Sequence, residues 1–286
     1  MSQASTRTAS SRSGPPSRSR TRSSARTPRA DHEAVVVAVA NQKGGVAKTT
    51  SVASLGAAFA EAGKRVLLVD LDAQACLTFS LGVDPDTVET SINEVLLGQA
   101  PAAEAVIECA DDVHLLPAVI DLAGVEAQLL TRPGREYVLR TVLEPVLGDY
   151  DLVMLDCSPS LGVLTLAALT AADYLLVPMP CEMLSHRGVG QLLDTVRDVT
   201  RFLNPDLDVL GVLPTLFDGR STHSRAVLAD VGERYGLPVL DPPIPKTIRF
   251  AEAPAVGRSI LTTARRSRGA LAYRQVAASL AKRLWS

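Results

Sequence analysis

The chain is 286 residues long, 47% hydrophobic, with a formal charge of −2. That length can bury one good α/β core, and the bulk charge selects no partner. No apolar run reaches the roughly 18 residues of a membrane span. Cys76, Cys109, Cys157 and Cys181 are too widely spaced for a disulfide framework or a zinc site, which leaves them as core thiols. His32, His114, His186 and His223 show no H-E-x-x-H spacing, so no metal is assigned to them.

Residues 1–30 carry seven arginines and no acid among Ser, Thr and Pro. Nothing there can build a core, so residues 1–33 read as a disordered basic N-terminal arm ahead of one domain, 34–286. The arm lacks the apolar region of a secretory signal. Its acid-poor Arg/Ser composition also resembles an organelle transit peptide. A solvating tail and a weak nucleic-acid contact are equal readings of it.

Strands are expected at Val35–Ala40, Arg65–Asp70, Val113–Pro117, Leu152–Asp156, Tyr174–Pro178, Leu207–Leu213 and Pro238–Leu240. Helical patterns lie between them at Thr49–Ala62, Thr87–Leu97, Leu161–Ala171, Gly188–Phe202 and Ser221–Tyr235, and Gly269–Trp285 closes the chain. Gly63 and Gly98 are stop signals. This alternation implies a mainly parallel, twisted sheet with helices on both faces. The runs around Val35, Leu67, Leu152 and Leu175 are apolar throughout, as strands buried on both faces are.

The first strand runs into Asn41-Gln42-Lys43-Gly44-Gly45-Val46-Ala47-Lys48-Thr49-Thr50. Strand, glycine pair, lysine, threonines and an alanine-rich helix make a phosphate loop. Glycines let backbone N–H groups crowd around an anion, and the helix adds its positive N-terminal end. Lys48 supplies charge for the β- and γ-phosphates, and the Thr49 hydroxyl is a ligand for Mg²⁺. The general pattern G-x-x-x-x-G-K-[ST] fails at Gln42 and Ala47, and a second lysine, Lys43, stands at the front. The bland alternative is a Gly-rich turn with no ligand. If position 47 needs a positive φ, alanine there costs about 1–2 kcal/mol.

Ligands of open α/β sheets sit at the carboxyl ends of strands. Two further strands end in acids. One closes on Asp70-Leu71-Asp72, the other on Asp156 followed by Cys157-Ser158-Pro159-Ser160. A carboxylate after four apolar residues is a Walker B pattern, suited to holding Mg²⁺ beside the loop.

Three blocks occur in order: the loop 41–50, then Val69-Asp70-Leu71-Asp72-x-Gln74, then Leu155-Asp156-Cys157-x-Pro159-Ser160-Leu161. Together with a fourth, Ile244-Pro245 through Ala251-Glu252-Ala253-Pro254, they resemble the deviant Walker A ATPases of the ParA/Soj family, within the ParA/MinD group. The resemblance runs from about Val35 onward and implies a P-loop NTPase fold and a chromosome- or plasmid-partitioning ATPase. It implies ATP and Mg²⁺ as cofactors, a homodimer with ATP sandwiched between subunits, non-specific DNA and a ParB-like activator as partners, no membrane, and a cytoplasmic, nucleoid-associated location. It also implies site roles. Lys43, Gly44, Gly45, Val46, Ala47, Lys48, Thr49 and Thr50 bind ATP; Thr49, Asp70 and Asp156 surround the metal. Lys43 reaches the partner's nucleotide, Lys48 holds phosphates, and Asp72 positions the attacking water. Asp72-Ala73-Gln74-Ala75-Cys76 replaces the family's Asp-Pro-Gln-Gly-Asn, and Lys246-Thr247 replaces Arg-Asn.

Arg220, Lys246, Arg249 and Arg258 are the candidate DNA contacts, with Arg265, Arg266 and Arg268 nearby. Phosphate contacts of this kind position without reading sequence. The segment before Val35 leaves no room for an operator-reading domain. The last helix has two readings, a docked core helix or a MinD-like membrane anchor. Competing functions are a MinD-like positioning ATPase, an iron–sulfur reductase relative, and a non-catalytic nucleotide sensor.

Overall fold

The computed structural model describes Met1, residues 34–181 and residues 186–285. The arm reading, apart from Met1, therefore lies outside the described residues.

In chain order the first half comprises β1 Val35–Val39, α1 Lys48–Glu61, β2 Val66–Leu71, α2 Cys76–Ser80, α3 Ile92–Leu97, α4 Ala102–Ala105, β3 Ile107–Glu108, β4 His114–Leu116, α5 Leu122–Leu129 and α6 Val138–Leu143. The second half comprises β5 Leu152–Cys157, α7 Val163–Ala171, β6 Tyr174–Pro180, α8 His186–Phe202, β7 Asp208–Thr215, α9 Thr222–Tyr235, α10 Arg249–Glu252, α11 Ile260–Thr263 and α12 Arg268–Leu284. The strands form one sheet in the order β3-β4-β2-β5-β1-β6-β7. Its ladders are parallel except for the β3–β4 pair.

Both faces of the sheet are covered, as the apolar strands require. Along β1, Val36 and Ala38 join one core while Val37 and Val39 join another. The same alternation separates Leu67 and Val69 from Val66 and Leu68 on β2. The first core is closed by α3, α5, α6, α7 and α8, through residues such as Ile92, Leu122, Leu139, Leu164 and Leu192. The second is closed by α1, α11 and α12, through Val52, Leu55, Phe59, Ile260, Tyr273, Val276 and Leu280.

The closing helix is docked. Its apolar residues at i, i+3 and i+4 spacing, Tyr273, Val276, Ala277 and Leu280, are all buried. Arg274 holds Glu61 of α1 through two guanidinium bonds, at 2.6 and 2.9 Å, and the Tyr273 and Ser51 hydroxyls meet at 3.0 Å. Among the described residues, no helix is long and apolar enough to cross a membrane.

Two expectations change. The run Pro238–Leu240 is not a strand: it makes one isolated bridge, Val212 to Val239. Proline has no N–H for a ladder, so pairing stops after Val212 N to Pro238 O and Leu240 N to Val212 O. The helix expected over Thr87–Leu97 starts only at Ile92. There the Ser91 hydroxyl accepts from Asn93 N and the Glu94 carboxylate accepts from Ser91 N, a capping box that sets the helix start. The two-residue edge strand β3 and the helices α5 and α6 carry no expectation from the periodicity.

Candidate functional site

The phosphate loop leaves the carboxyl end of β1, which pairs β5 on one side and β6 on the other. β1 is central and the chain crosses both ways from it, so this is where the sheet opens a crevice for a ligand. Two buried side chains fix the loop to neighbouring strands. The Asn41 carboxamide donates to Pro178 O of β6 at 2.7 Å and accepts from Lys43 N at 3.0 Å. The Thr215 hydroxyl, at the end of β7, donates to Val46 O at 2.9 Å. Gly45 has φ 70° and Ala47 φ 66°, so the loop turns twice through the left-handed region. No side chain caps α1 and its first turn holds no acid. The amides of that turn are left as anion donors.

Lys48 opens α1 and is only 7% exposed. Its Nζ lies 3.5 Å from Lys43 O. Burial lowers its pKa, and the nearby Asp156 is the main opposing influence. Lys43 is half-buried at the loop's front. The sequence-predicted residues Gly44 to Thr50, with Asp72, line one cavity of about 520 Å³. Its far wall is Ile244, Pro245, Thr247 and Phe250. The loop and the Ile-Pro segment, two hundred residues apart in the chain, thus enclose a single space.

The three aspartates differ in their surroundings. Asp70 is fully buried; one oxygen accepts from Thr78 N and Oγ1 at 2.9 and 2.8 Å, and the other from Asp72 N at 3.1 Å. Burial outweighs these donors and lifts its pKa to about 6. Asp72 is half-exposed in the cavity and accepts from Gln74 N at 3.0 Å, which forms an Asx turn. Asp156 is buried, and neither of its oxygens has a closed hydrogen bond. Burial pushes its pKa well up, Asp70 adds to this, and Thr49 and Lys48 pull the other way.

An orphaned buried carboxylate beside a threonine hydroxyl fits a hard cation. Magnesium takes oxygen ligands and keeps some for phosphates and water, so Thr49 and Asp156 are a suitable protein share. Asp70 already accepts three hydrogen bonds and ties the start of α2 to β2.

The basic candidates separate. Arg220, Lys246 and Arg249 line a second cavity of about 680 Å³, with Arg268. Pro245 and Thr247 border both cavities. Arg258 stands apart, beside Ser80 and Ile260. Arg249 also pairs with Glu252 at 2.9 Å. Sequence reasoning assigned no role to Thr215 or to the Asn41 carboxamide. Asn41 is adjacent to the loop, but a threonine ending a distant strand carries no local signal.

Residues 34–209 match a family described as an AAA domain. Sporulation initiation inhibitor protein Soj of Bacillus subtilis is 40% identical over 247 residues, 86% of this chain and 98% of its own. Chromosome partitioning protein ParA of Caulobacter vibrioides is 40% identical over 251 residues, covering 87% and 94%. The chain belongs to the ParA/Soj family. Among solved structures, cobyrinic acid a,c-diamide synthase from Mycobacterium smegmatis, with bound ADP and magnesium, is 56% identical with a TM-score of 0.80. That match covers 88% of this chain and 96% of the other.

Within the ParA/Soj pattern, the two departures acquire a shared geometry. Ala47 replaces a family glycine at φ 66°, and Ala75 replaces another at φ 49°. Each is the residue just before a helix, α1 or α2, and each helix starts at the cavity wall. Alanine in the left-handed region costs about 1–2 kcal/mol, so both departures carry strain that glycine would not.

Proposed function

We propose that this chain is a DNA-partitioning ATPase that binds Mg-ATP, dimerises around it, holds DNA without sequence preference, and is reset by hydrolysis. The observation that carries this reading is the buried Lys48 and orphaned Asp156 at one end of the loop, with Lys43 at its front. A buried lysine within the loop and a second lysine at its front match a site completed by a second copy.

In this mechanism the first-turn amides of α1 and Lys48 bind the phosphates, and Thr49 and Asp156 hold Mg²⁺. The metal supplies charge neutralisation on the β- and γ-phosphates. Asp72, half-exposed and anchored by its Asx turn, orients a water. The water oxygen bonds to the γ-phosphorus as the bond to the β-bridging oxygen breaks, leaving ADP and phosphate. Little covalent chemistry is asked of the protein, so positioning and charge carry the catalysis. Lys43 reaches the partner's nucleotide, which ties hydrolysis to dimerisation. Asp70 acts through the segment after Asp72, holding it by Thr78.

The cavity lined by Arg220, Lys246, Arg249 and Arg268 supports the DNA contact, by charge alone. A ParB-like protein is the activator this family relationship suggests, and a nucleoid-associated location follows from DNA binding. The docked α12 gives no support to a detachable membrane tail, the feature a MinD-like positioning ATPase would need.

A second reading rests on the likeness to the Mycobacterium smegmatis protein: an amide-forming ligase. Such a reaction spends ATP on activating a carboxylate, so its turnover depends on an acceptor acid and an amine donor. Phosphate release measured with Mg-ATP alone, with added duplex DNA, with anionic liposomes, and with cobyrinic acid plus glutamine separates the readings. Stimulation by DNA supports partitioning. Turnover seen only with the acid and glutamine overturns it.

A further inference from the structure

The backbone of Lys43 is held from two sides, by the Asn41 carboxamide and by the Lys48 ammonium. Its N–H donates to Asn41 Oδ1 at 3.0 Å, and its carbonyl lies 3.5 Å from Lys48 Nζ. Asn41 is 1% exposed, and the other end of its carboxamide donates to Pro178 O at 2.7 Å. One buried amide therefore fastens the front of the phosphate loop to β6. The start of α8 rests on this fastening. A Cβ at Gly188 would lie 3.1 Å from Asn41 Oδ1, 3.6 Å from Lys43 N and 3.8 Å from Gln42 Cβ. A side chain at position 188 would push Asn41 or the start of α8 aside by a few tenths of an ångström.

We infer that Asn41 and Gly188 are positioning residues for Lys43. Through the Asn41 carboxamide, the end of β6 and the start of α8 set where the partner-facing lysine stands. The anion-binding part of the loop is held separately, by Thr215 on Val46 O and by α1 itself. Disturbing the Asn41 contact thus shifts the lysine that acts between subunits more than the groups that bind phosphate within one. A displacement of a few tenths of an ångström suffices, because a bond from a fixed cation to a partner's phosphate depends steeply on geometry. The inference rests on the proposed role of Lys43 across the dimer.

Four full-length chains test it: wild type, Lys43→Ala, Asn41→Ala and Gly188→Ala. For each, the affinity for Mg-ATPγS is measured by calorimetry, and ATPγS-dependent dimerisation by sedimentation velocity. Thermal melts check folding. The expected result is that Asn41→Ala and Gly188→Ala bind ATPγS within about threefold of wild type while their dimers weaken by about tenfold or more. If Asn41→Ala does not fold, Gly188→Ala decides, since it adds one methyl and removes no hydrogen bond. Wild-type dimerisation of Lys43→Ala would sink the underlying role of that lysine. Loss of dimers in Lys43→Ala, with wild-type dimers in the other two variants, overturns the positioning inference alone. A parallel loss of nucleotide affinity and dimerisation also overturns it, because Asn41 would then serve the whole loop.

Discussion

Asp70 and Asp156 are register partners on the adjacent parallel strands β2 and β5, and both carboxylates are buried. Asp70 answers this with three donors from its own segment, whereas Asp156 has no closed hydrogen bond. Two acids at one depth are thus unequally satisfied: Asp70 is taken up in holding its own segment, and under the proposed function Asp156 is left for a cation.

That difference has a measurable cost. Burial raises both pKa values, Asp70 to about 6 from 3.8. The folded chain therefore holds these protons more tightly than the unfolded chain. As pH rises through this interval the pair works against folding, and the penalty stays in place above it. Asp156→Asn removes the charge at constant shape. It should stabilise the nucleotide-free protein on the order of 1–3 kcal/mol at about pH 8 and less at about pH 5. It should also lose the Mg²⁺ dependence of ATP binding. Urea melts at the two pH values check the first part and calorimetry the second; a destabilised variant at the higher pH contradicts the orphaned-carboxylate assignment.

Ala47→Gly and Ala75→Gly should each stabilise the chain by roughly 0.5–1 kcal/mol, since relief of left-handed strain exceeds the added freedom of the unfolded chain. The readout is the urea midpoint at constant slope. No gain at either position would mean that neighbouring contacts already offset the strain.

Lys48→Ala should abolish productive nucleotide binding, because the phosphates lose their main side-chain charge inside a buried site. Titration of Mg-ATP by calorimetry tests this. Unchanged affinity is incompatible with the phosphate-loop assignment.

Asp72→Ala should bind ATP and dimerise but turn over slowly, by about 100-fold or more, because only the placement of water is lost. Size-exclusion chromatography with ATP should show a persistent dimer. A variant that binds ATP normally yet stays monomeric would assign Asp72 to the interface instead.

Arg220→Glu combined with Arg249→Glu should weaken binding to unrelated duplexes while leaving basal phosphate release unchanged. Wild-type affinity should fall steeply with salt, as counterions are released from the contacted phosphates. Removing residues 1–33 should lower affinity only modestly, because a polar arm loses ordering entropy when it binds. Fluorescence anisotropy at two salt concentrations reads all of these. If truncation alone removes binding, the arm and not the folded domain holds the DNA.

Much of this molecule is legible along the chain, for a local reason. A strand buried on both faces must be apolar throughout, and a phosphate loop needs its glycines, lysines and threonines in one stretch, so β1, β2, β5, β6, the loop and the terminal aspartates announce themselves. Short elements that owe their form to neighbours do not: β3 exists only as a partner for β4, and α5 and α6 are shaped by the core they cover.

By itself the sequence determined the parallel α/β architecture, the glycine, lysine and threonine pattern of residues 43–50 and the family to which the chain belongs, because each is written in short contiguous blocks. Tertiary structure alone decided the rest. It placed Thr215 on Val46, Asn41 between β6 and Lys43, and Gly188 against both. It also set Ala47 and Ala75 in left-handed conformations, left Asp156 without a partner, and docked α12 on α1. These depend on which strands lie side by side and how closely helices approach. Such distances arise only when the whole core packs, and no local pattern of residues encodes them.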